Sequence, residues 1–188
     1  MKLTNYLVNE MKRNKIITKD EDVYLYGLNS FFTLVINLIT AVTISYIMHK
    51  PDILFFFFIT FIPLRTYSGG FHFSSRLVCY IYSNTIIAIV LLLSDINSIA
   101  LTSVIFFSVL SFCYLFMNRT VGTHIRQLDN KEIQHYTKKK RNFLVLTALL
   151  IIAFLLIHSI KYAITCMLSI IIVCTLVVIQ KFRYLNFP

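Results

Sequence analysis

Charged residues divide the chain into six uncharged runs that are rich in Leu, Ile, Val and Phe. About 20 apolar residues cross the hydrocarbon of a bilayer as a helix, and five of the runs are long enough to do so. The run 53–64 would rise only about 18 Å, so it crosses only if residues 65–69 extend it and Arg65 reaches the interface with its long side chain. The other five runs are 23–49, 77–94, 96–118, 142–160 and 162–180.

The positions of the basic residues decide whether the short run crosses. With six spans and a cytoplasmic N-terminus, 16 Lys and Arg residues lie inside and 2 outside. Without the short span, 6 would lie inside and 12 outside. Because cytoplasmic loops carry the excess of Lys and Arg, the sequence predicts an all-α integral membrane protein with six transmembrane helices and both termini in the cytoplasm. Its second span is short and is followed by a Gly-Gly break before the third.

Composition supports this class of protein. Of the 188 residues, 57% are hydrophobic and 14% are charged, and the net charge is +10. A chain this apolar does not fit a soluble globular domain, a disordered protein or a disulfide scaffold. We expect one membrane domain over residues 1–188, with no signal peptide. Residues 1–22 form either an amphipathic helix on the inner leaflet or a solvated arm.

One cytoplasmic segment, residues 65–76, does not fit a lipid-facing helix. Gly69 and Gly70 permit a tight turn, and Ser74 or Ser75 can cap the helix that follows. Nearby, His72 and Cys79 suggest a thiol nucleophile with an imidazole base. On one continuous helix these two residues would be about 10.5 Å apart along the axis, too far for a hydrogen bond. His72 must therefore lie in the loop and fold back over a helix that begins near Ser75.

Simpler interpretations exist for each of these residues. A lone cysteine in a membrane helix is usually a small packing residue, which is the role we expect for Cys113, Cys166 and Cys174. A zinc site would lack its third and fourth ligands, so we expect no metal and no cofactor. No third catalytic residue is evident. Ser68, Ser74, Asn84 or a backbone carbonyl are the groups considered for orienting the imidazole.

A second polar segment, residues 119–141, carries seven basic residues. It acts as a topology signal that touches anionic lipid, or as a docking surface for an acidic peptide. Nucleic acid is not an expected partner, because the segment is short and has no aromatic stacking platform.

The pattern Arg65…Gly70-x-His72…Cys79, placed between the second and third of six spans, resembles the accessory gene regulator B family. These proteins are quorum-sensing membrane peptidases of Gram-positive bacteria. The resemblance extends over the whole chain and implies that His72 and Cys79 are the catalytic pair. It also implies that Arg65 and Gly70 are needed for activity, while Gly69 is a candidate because its amide lies where an oxyanion hole could form.

The basic cluster Lys138, Lys139 and Lys140, followed by Arg141, looks like a basic cluster of the family and is the candidate for substrate binding. The substrate implied is a small signal propeptide with an amphipathic leader and an acidic C-terminal tail. A cysteine endopeptidase in the bacterial cell membrane, acting on its cytoplasmic side, would remove the tail and promote cyclisation to a thiolactone or lactone autoinducing peptide. We also expect a homodimer. The alternative is a non-enzymatic membrane transporter or assembly partner.

Overall fold

The computed structural model describes residues 2–14, 21–69, 75–95, 98–120 and 129–186, and these residues form α-helices and no strands. The all-α class predicted from the sequence is therefore confirmed for this part of the chain. The helices are α1 (Lys2–Arg13), α2 (Glu21–Ile47), α3 (Pro51–Ser68), α4 (Arg76–Leu93), α5 (Ser98–Met117), α6 (Asn130–Leu156) and α7 (Ile160–Asn186).

The N-terminal segment is a helix that packs against the protein. Thr4 and Val8, one helical turn apart, are buried, whereas Tyr6 on another face is 61% exposed. α1 lies against the beginning of α2. Residues Lys2–Arg13 are therefore helical, and their buried face packs on α2. The location of this helix on the inner leaflet stays a prediction.

α7 is the central helix, and α3, α5 and α6 surround it. Its buried residues Ile170 and Val173 pack with Leu64 of α3, Leu115 of α5 and Leu144 of α6. Each of these five side chains is at most 2% exposed, so the four helices share one closely packed apolar core.

A second pair, α2 and α4, lies at the side of this four-helix core. Leu91 of α4 packs with Phe57 of α3 and Ile164 of α7. Between α2 and α4 the contacts are partly polar, because the Asn84 side chain donates to Asn37 at 2.9 Å. Such side-chain hydrogen bonds between helices are a common way of joining membrane helices.

Large apolar side chains also cover the outside of the helices. Leu34 on α2 is 62% exposed, and Phe106 on α5 is 60% exposed. An apolar exterior this extensive requires a lipid or protein partner. Two helices, Glu21–Ile47 and Ile160–Phe182, are long and apolar enough to cross a membrane by length and composition; Leu77–Leu93 and Leu101–Met117 are shorter apolar helices. The six-span topology stays a prediction.

α3 extends the short Phe-rich run at both ends. It begins with Pro51, whose fixed φ suits the first turn, and continues past Leu64 to Ser68. Its 18 residues rise about 27 Å, close to the thickness of the hydrocarbon. Arg65 and the three residues after it are therefore helical, which agrees with the extension that the crossing of the short run requires. These four residues are consequently not part of the catalytic loop expected over residues 65–76.

The basic segment 119–141 also differs from the expected loop. α6 begins at Asn130, where the Asp129 side chain accepts from the backbone and Glu132 reaches back to the Asp129 amide. This reciprocal capping starts the helix 12 residues before the apolar run that begins at Asn142. Residues 138–141 are consequently helical, and their side chains point in different directions.

The polar residues gather at two opposite ends of the bundle. At the turn end, defined by Lys50, Asp95 and Lys161, Asp95 forms ion pairs with Lys50 at 2.7 Å and with Lys161 at 3.1 Å. Lys50 and Asp95 belong to the connections α2–α3 and α4–α5, and Lys161 is in the first turn of α7. At the opposite end, called here the basic end, lie the C-termini of α3 and α5, the N-terminus of α4 and the polar half of α6.

Candidate functional site

The C-terminus of α3 forms one wall of the candidate site. Gly69 ends the helix with φ of 71°, in the left-handed region that a residue with a Cβ rarely adopts. The Arg65 guanidinium donates to the Gly69 carbonyl at 2.7 Å, so the side chain folds over the last helical turn. This bond joins an arginine and a glycine that are four residues apart in the sequence.

Cys79 lies one turn into α4. Its amide donates to the Ser75 carbonyl at 3.1 Å, and the Ser83 hydroxyl donates to the Cys79 carbonyl at 2.8 Å. The expected start of this helix near Ser75 is confirmed, although the Ser75 side chain makes no capping bond. Cys79 is partly exposed and forms no disulfide.

Arg65 of α3 interacts electrostatically with Cys79 and Tyr82 of α4. The N-terminus of α4 also carries partial positive charge, because the amides of its first turn point out of the helix. The guanidinium and this helix end therefore both contribute positive charge on the side of the site where Cys79 lies.

Several predicted site residues lie outside the described residues, namely Gly70, His72 and Ser74. Of the other groups considered for orienting the imidazole, Asn84 donates to Asn37 and to the Tyr80 carbonyl, so its amide nitrogen is turned towards α2. Ser68 is 1% exposed, and among the described residues its hydroxyl has no hydrogen-bond partner.

The remaining cysteines differ in environment. Cys166 and Cys174 are buried, as expected of packing residues. Cys113 is exposed on α5, so it does not belong to the packed core of the described residues. In the described part of the chain, no three or more His, Cys, Asp or Glu residues are placed to hold a metal ion.

The four basic residues of α6 split into two groups. Because successive residues on a helix are rotated by about 100°, four consecutive side chains cannot form one patch. Lys139 lies over the Tyr67 ring, 5.3 Å from its centroid. Lys140 is 1% exposed and donates to the Asn118 carbonyl at 2.7 Å. Its burial, with Arg141 nearby, lowers the pKa of Lys140 to about 8.

Lys138 and Arg141 face a groove between α5 and α6. The cavity has a volume of about 610 Å³, and no acidic residue is among the residues that line it. Arg141 donates through Nε to the Phe116 carbonyl at 3.0 Å and covers the Phe116 ring. Arg119 adds a third cation, while Val145 and Phe116 give the groove an apolar part. The arrangement suits an anionic group with apolar surface beside it.

Sequence reasoning missed Tyr67 and Thr120, which join α3 to α5. The Thr120 hydroxyl donates to the Tyr67 carbonyl at 2.9 Å. These residues are 53 positions apart, and neither belongs to a local motif. A polar residue just after an apolar run is too common a feature to have identified them.

The candidate site belongs to a chain whose family can be identified. The accessory gene regulator B (AgrB) family model matches residues 1–180. Comparison with curated proteins and with solved structures gave no match. The matched range includes Arg65, Cys79 and the basic residues of α6, and it covers nearly all of the chain. The chain therefore belongs to the accessory gene regulator B family, which takes part in processing the autoinducing peptide of a quorum-sensing system.

Proposed function

We propose that the chain is a cysteine endopeptidase that removes the C-terminal tail of a signal propeptide and promotes cyclisation of the signal segment. The observation that carries this proposal is the placement of the partly exposed Cys79 in the first turn of α4, where it interacts electrostatically with Arg65 of α3. Family membership supports a propeptide as the substrate.

In the proposed first step, His72 takes the proton of the Cys79 thiol and Sγ attacks the carbonyl carbon between signal segment and tail. The C–N bond breaks, and the tail leaves as an amine that takes the proton from the imidazole. The signal segment stays on Cys79 as a thioester. Backbone amides near Gly69 or in the first turn of α4 are the candidate oxyanion donors.

In the second step, an internal cysteine or serine of the substrate attacks this thioester. A thiolactone or lactone forms, and the proton of the attacking group returns to the Cys79 sulfur through His72. With an internal cysteine one thioester replaces another, so proximity of the attacking thiol sets the rate. A site at the membrane surface supports this outcome because it limits the access of water to the acyl-enzyme.

The proposal places the active site on the cytoplasmic side of a six-span protein with both termini inside. The separation of turn end and basic end supports this orientation, because Lys50 and Lys161 share one end while Arg65 and Lys140 lie at the other. We propose that Lys138 and Arg141, in the α5–α6 groove, bind the acidic tail. The expected homodimer stays a prediction, to be tested by crosslinking in intact membranes.

The deciding experiment co-expresses the chain with a candidate propeptide and follows tail loss and a peptide–enzyme adduct by mass spectrometry. Cys79→Ala and His72→Ala should each abolish tail loss, and Cys79→Ala should also abolish the adduct. Cys113→Ala, which removes another exposed thiol, is the matched control and should process normally. Tail loss that survives Cys79→Ala would show that the peptidase mechanism is wrong and would favour a transporter or assembly partner.

A further inference from the structure

Lys140 is buried in a way that does not suit substrate binding. Its side chain is 1% exposed, and its ammonium group donates to the Asn118 carbonyl just after α5 ends. Removing an ammonium group from water costs several kcal/mol, roughly, unless hydrogen bonds replace its hydration. A lysine used to attract a peptide would instead remain in water, as Lys138 does.

The segment held by Lys140 in turn holds α3. Thr120 is 5% exposed, and its amide donates to the Thr137 hydroxyl at 3.1 Å. Its own hydroxyl donates to the Tyr67 carbonyl at 2.9 Å. The end of α5 is thus bonded to α6 on one side and to the last turn of α3 on the other.

The Tyr67 ring provides a second connection between α6 and α3. It stacks on Phe143, with centroids 5.3 Å apart and planes within 10° of parallel. The Tyr136 ring, which like Phe143 is on α6, has its centroid 5.8 Å from that of Tyr67, and Lys139 lies over the Tyr67 ring. A ring held by an aromatic stack and a cation has little rotational freedom.

Tyr67 lies between Arg65 and Gly69, the two residues joined by the bond that closes the end of α3. We propose that Lys140, Thr120 and Tyr67 are positioning residues, which hold the last turn of α3 so that Arg65 stays within electrostatic reach of Cys79. This inference rests on the proposed function. Lys139 and Lys140 then act on the reaction through α3 and α5, whereas Lys138 and Arg141 act on the substrate.

Thr120→Val is the sharpest test, because valine has nearly the shape of threonine and keeps the backbone amide that bonds Thr137. It removes the hydroxyl bond to the Tyr67 carbonyl and the longer bond, 3.4 Å, that the hydroxyl accepts from Thr137. Lys140→Met is its companion, since methionine keeps the length of the side chain without the charge. The controls are Thr66→Val, whose hydroxyl bonds only its own helix at Ile62, and Lys131→Met, an exposed position outside the groove lining.

The first measurement is the rate at which iodoacetamide alkylates Cys79 in the purified full-length chain, followed by peptide mapping with Cys113 as internal reference. We expect Thr120→Val and Lys140→Met to slow alkylation of Cys79 by about threefold or more, since a displaced Arg65 no longer places its positive charge near the sulfur that attacks the reagent. Cys113 and both control variants should react as in the parent chain. This readout does not depend on the propeptide being the substrate.

The second measurement is tail removal from the propeptide. We expect kcat to fall by about tenfold with KM within about twofold, because a displaced active-site group affects the transition state more than binding. A rise in KM at unchanged kcat would overturn the inference in favour of direct substrate contact. Unchanged alkylation in Thr120→Val would also overturn it. Failure of the proposed function is a separate result, namely tail loss that survives Cys79→Ala.

Discussion

The basic residues at the two ends of the bundle make different kinds of contact. At the turn end, Lys50 and Lys161 share the carboxylate of Asp95, and Tyr162 donates to Asp52 at 2.7 Å. At the basic end, the contacts of Lys140 and Lys139 are a backbone carbonyl and an aromatic ring. The turn end thus neutralises charge by ion pairs between its own residues, whereas the basic end keeps a positive field.

This difference indicates which end acts on another molecule. Ion pairs between connections join helices and leave little charge for a partner. Cations whose contacts are carbonyls and rings remain positive and attract anions. Cys79 and Arg65 lie at that same end, so the field and the candidate nucleophile are close together.

The largest effect is expected from removing the charge beside Cys79. Arg65→Gln keeps a hydrogen-bond donor for the Gly69 carbonyl but removes the guanidinium. Tail removal should lose about 100-fold or more in kcat/KM, the size of loss seen when a charge-stabilising group of an active site is removed. Steady-state kinetics by mass spectrometry measures this, with Lys131→Gln as the control at an exposed position. Activity within about threefold of the parent chain would contradict a role for Arg65.

A smaller effect is expected from the buried charge of Lys140. With a pKa lowered to about 8, Lys140 is neutral in the folded protein above that pH but protonated in the unfolded chain up to about pH 10.4. The unfolded state then binds more protons, so stability rises with pH between these values, by no more than about 3 kcal/mol. Apparent melting temperatures in detergent from pH 7.5 to 10 measure this rise.

Lys140→Met provides the control for that pH dependence, because Cys and Tyr residues titrate in the same range in both chains. The melting temperature of the parent chain should rise relative to that of the variant as pH increases. If the melting temperatures of the two chains changed with pH in parallel, Lys140 would be protonated and hydrated in the folded protein.

A further test separates the two groups of basic residues on α6. Lys138→Glu should raise KM for the propeptide by about tenfold at low salt, because a groove lined by cations would then carry an acid. The effect should decrease at high salt, where exposed charges are screened. Lys131→Glu makes the same change of net charge outside the groove lining and should leave KM within about twofold. Equal effects of both variants would indicate attraction by net charge alone.

The all-α class could be predicted from the sequence, because long uncharged apolar runs favour helices in a bilayer. The placement of Cys79 one turn after Ser75 also follows from local rules. The start of α6 at Asn130 differs from the expected loop, although Asp129 and Glu132 have the spacing of a capping box. The many charges of that segment are equally typical of a loop.

The contact between Tyr67 and Thr120 could not be predicted, since it depends on how α3 and α5 pack around α7. The division of the basic cluster follows from that packing too. Helical rotation separates Lys138 from Lys140, but only the positions of α3 and α5 decide that Lys140 is the buried residue.

The smallest effect is expected at the turn end, where Asp95→Asn removes both ion pairs. Hydrogen bonds from Lys50 and Lys161 lower the pKa of Asp95. The contribution of these ion pairs to stability is therefore present above about pH 3.9, the pKa of an Asp in the unfolded chain. It is lost as pH falls through the lower pKa of Asp95 in the folded protein. The Asp95 side chain is 43% exposed, so each of its ion pairs contributes less than about 1 kcal/mol.

The melting temperature of Asp95→Asn at pH 7 should fall slightly, with tail removal unchanged. If Asp95→Asn instead impaired tail removal as much as Lys138→Glu, the two ends would not differ in function.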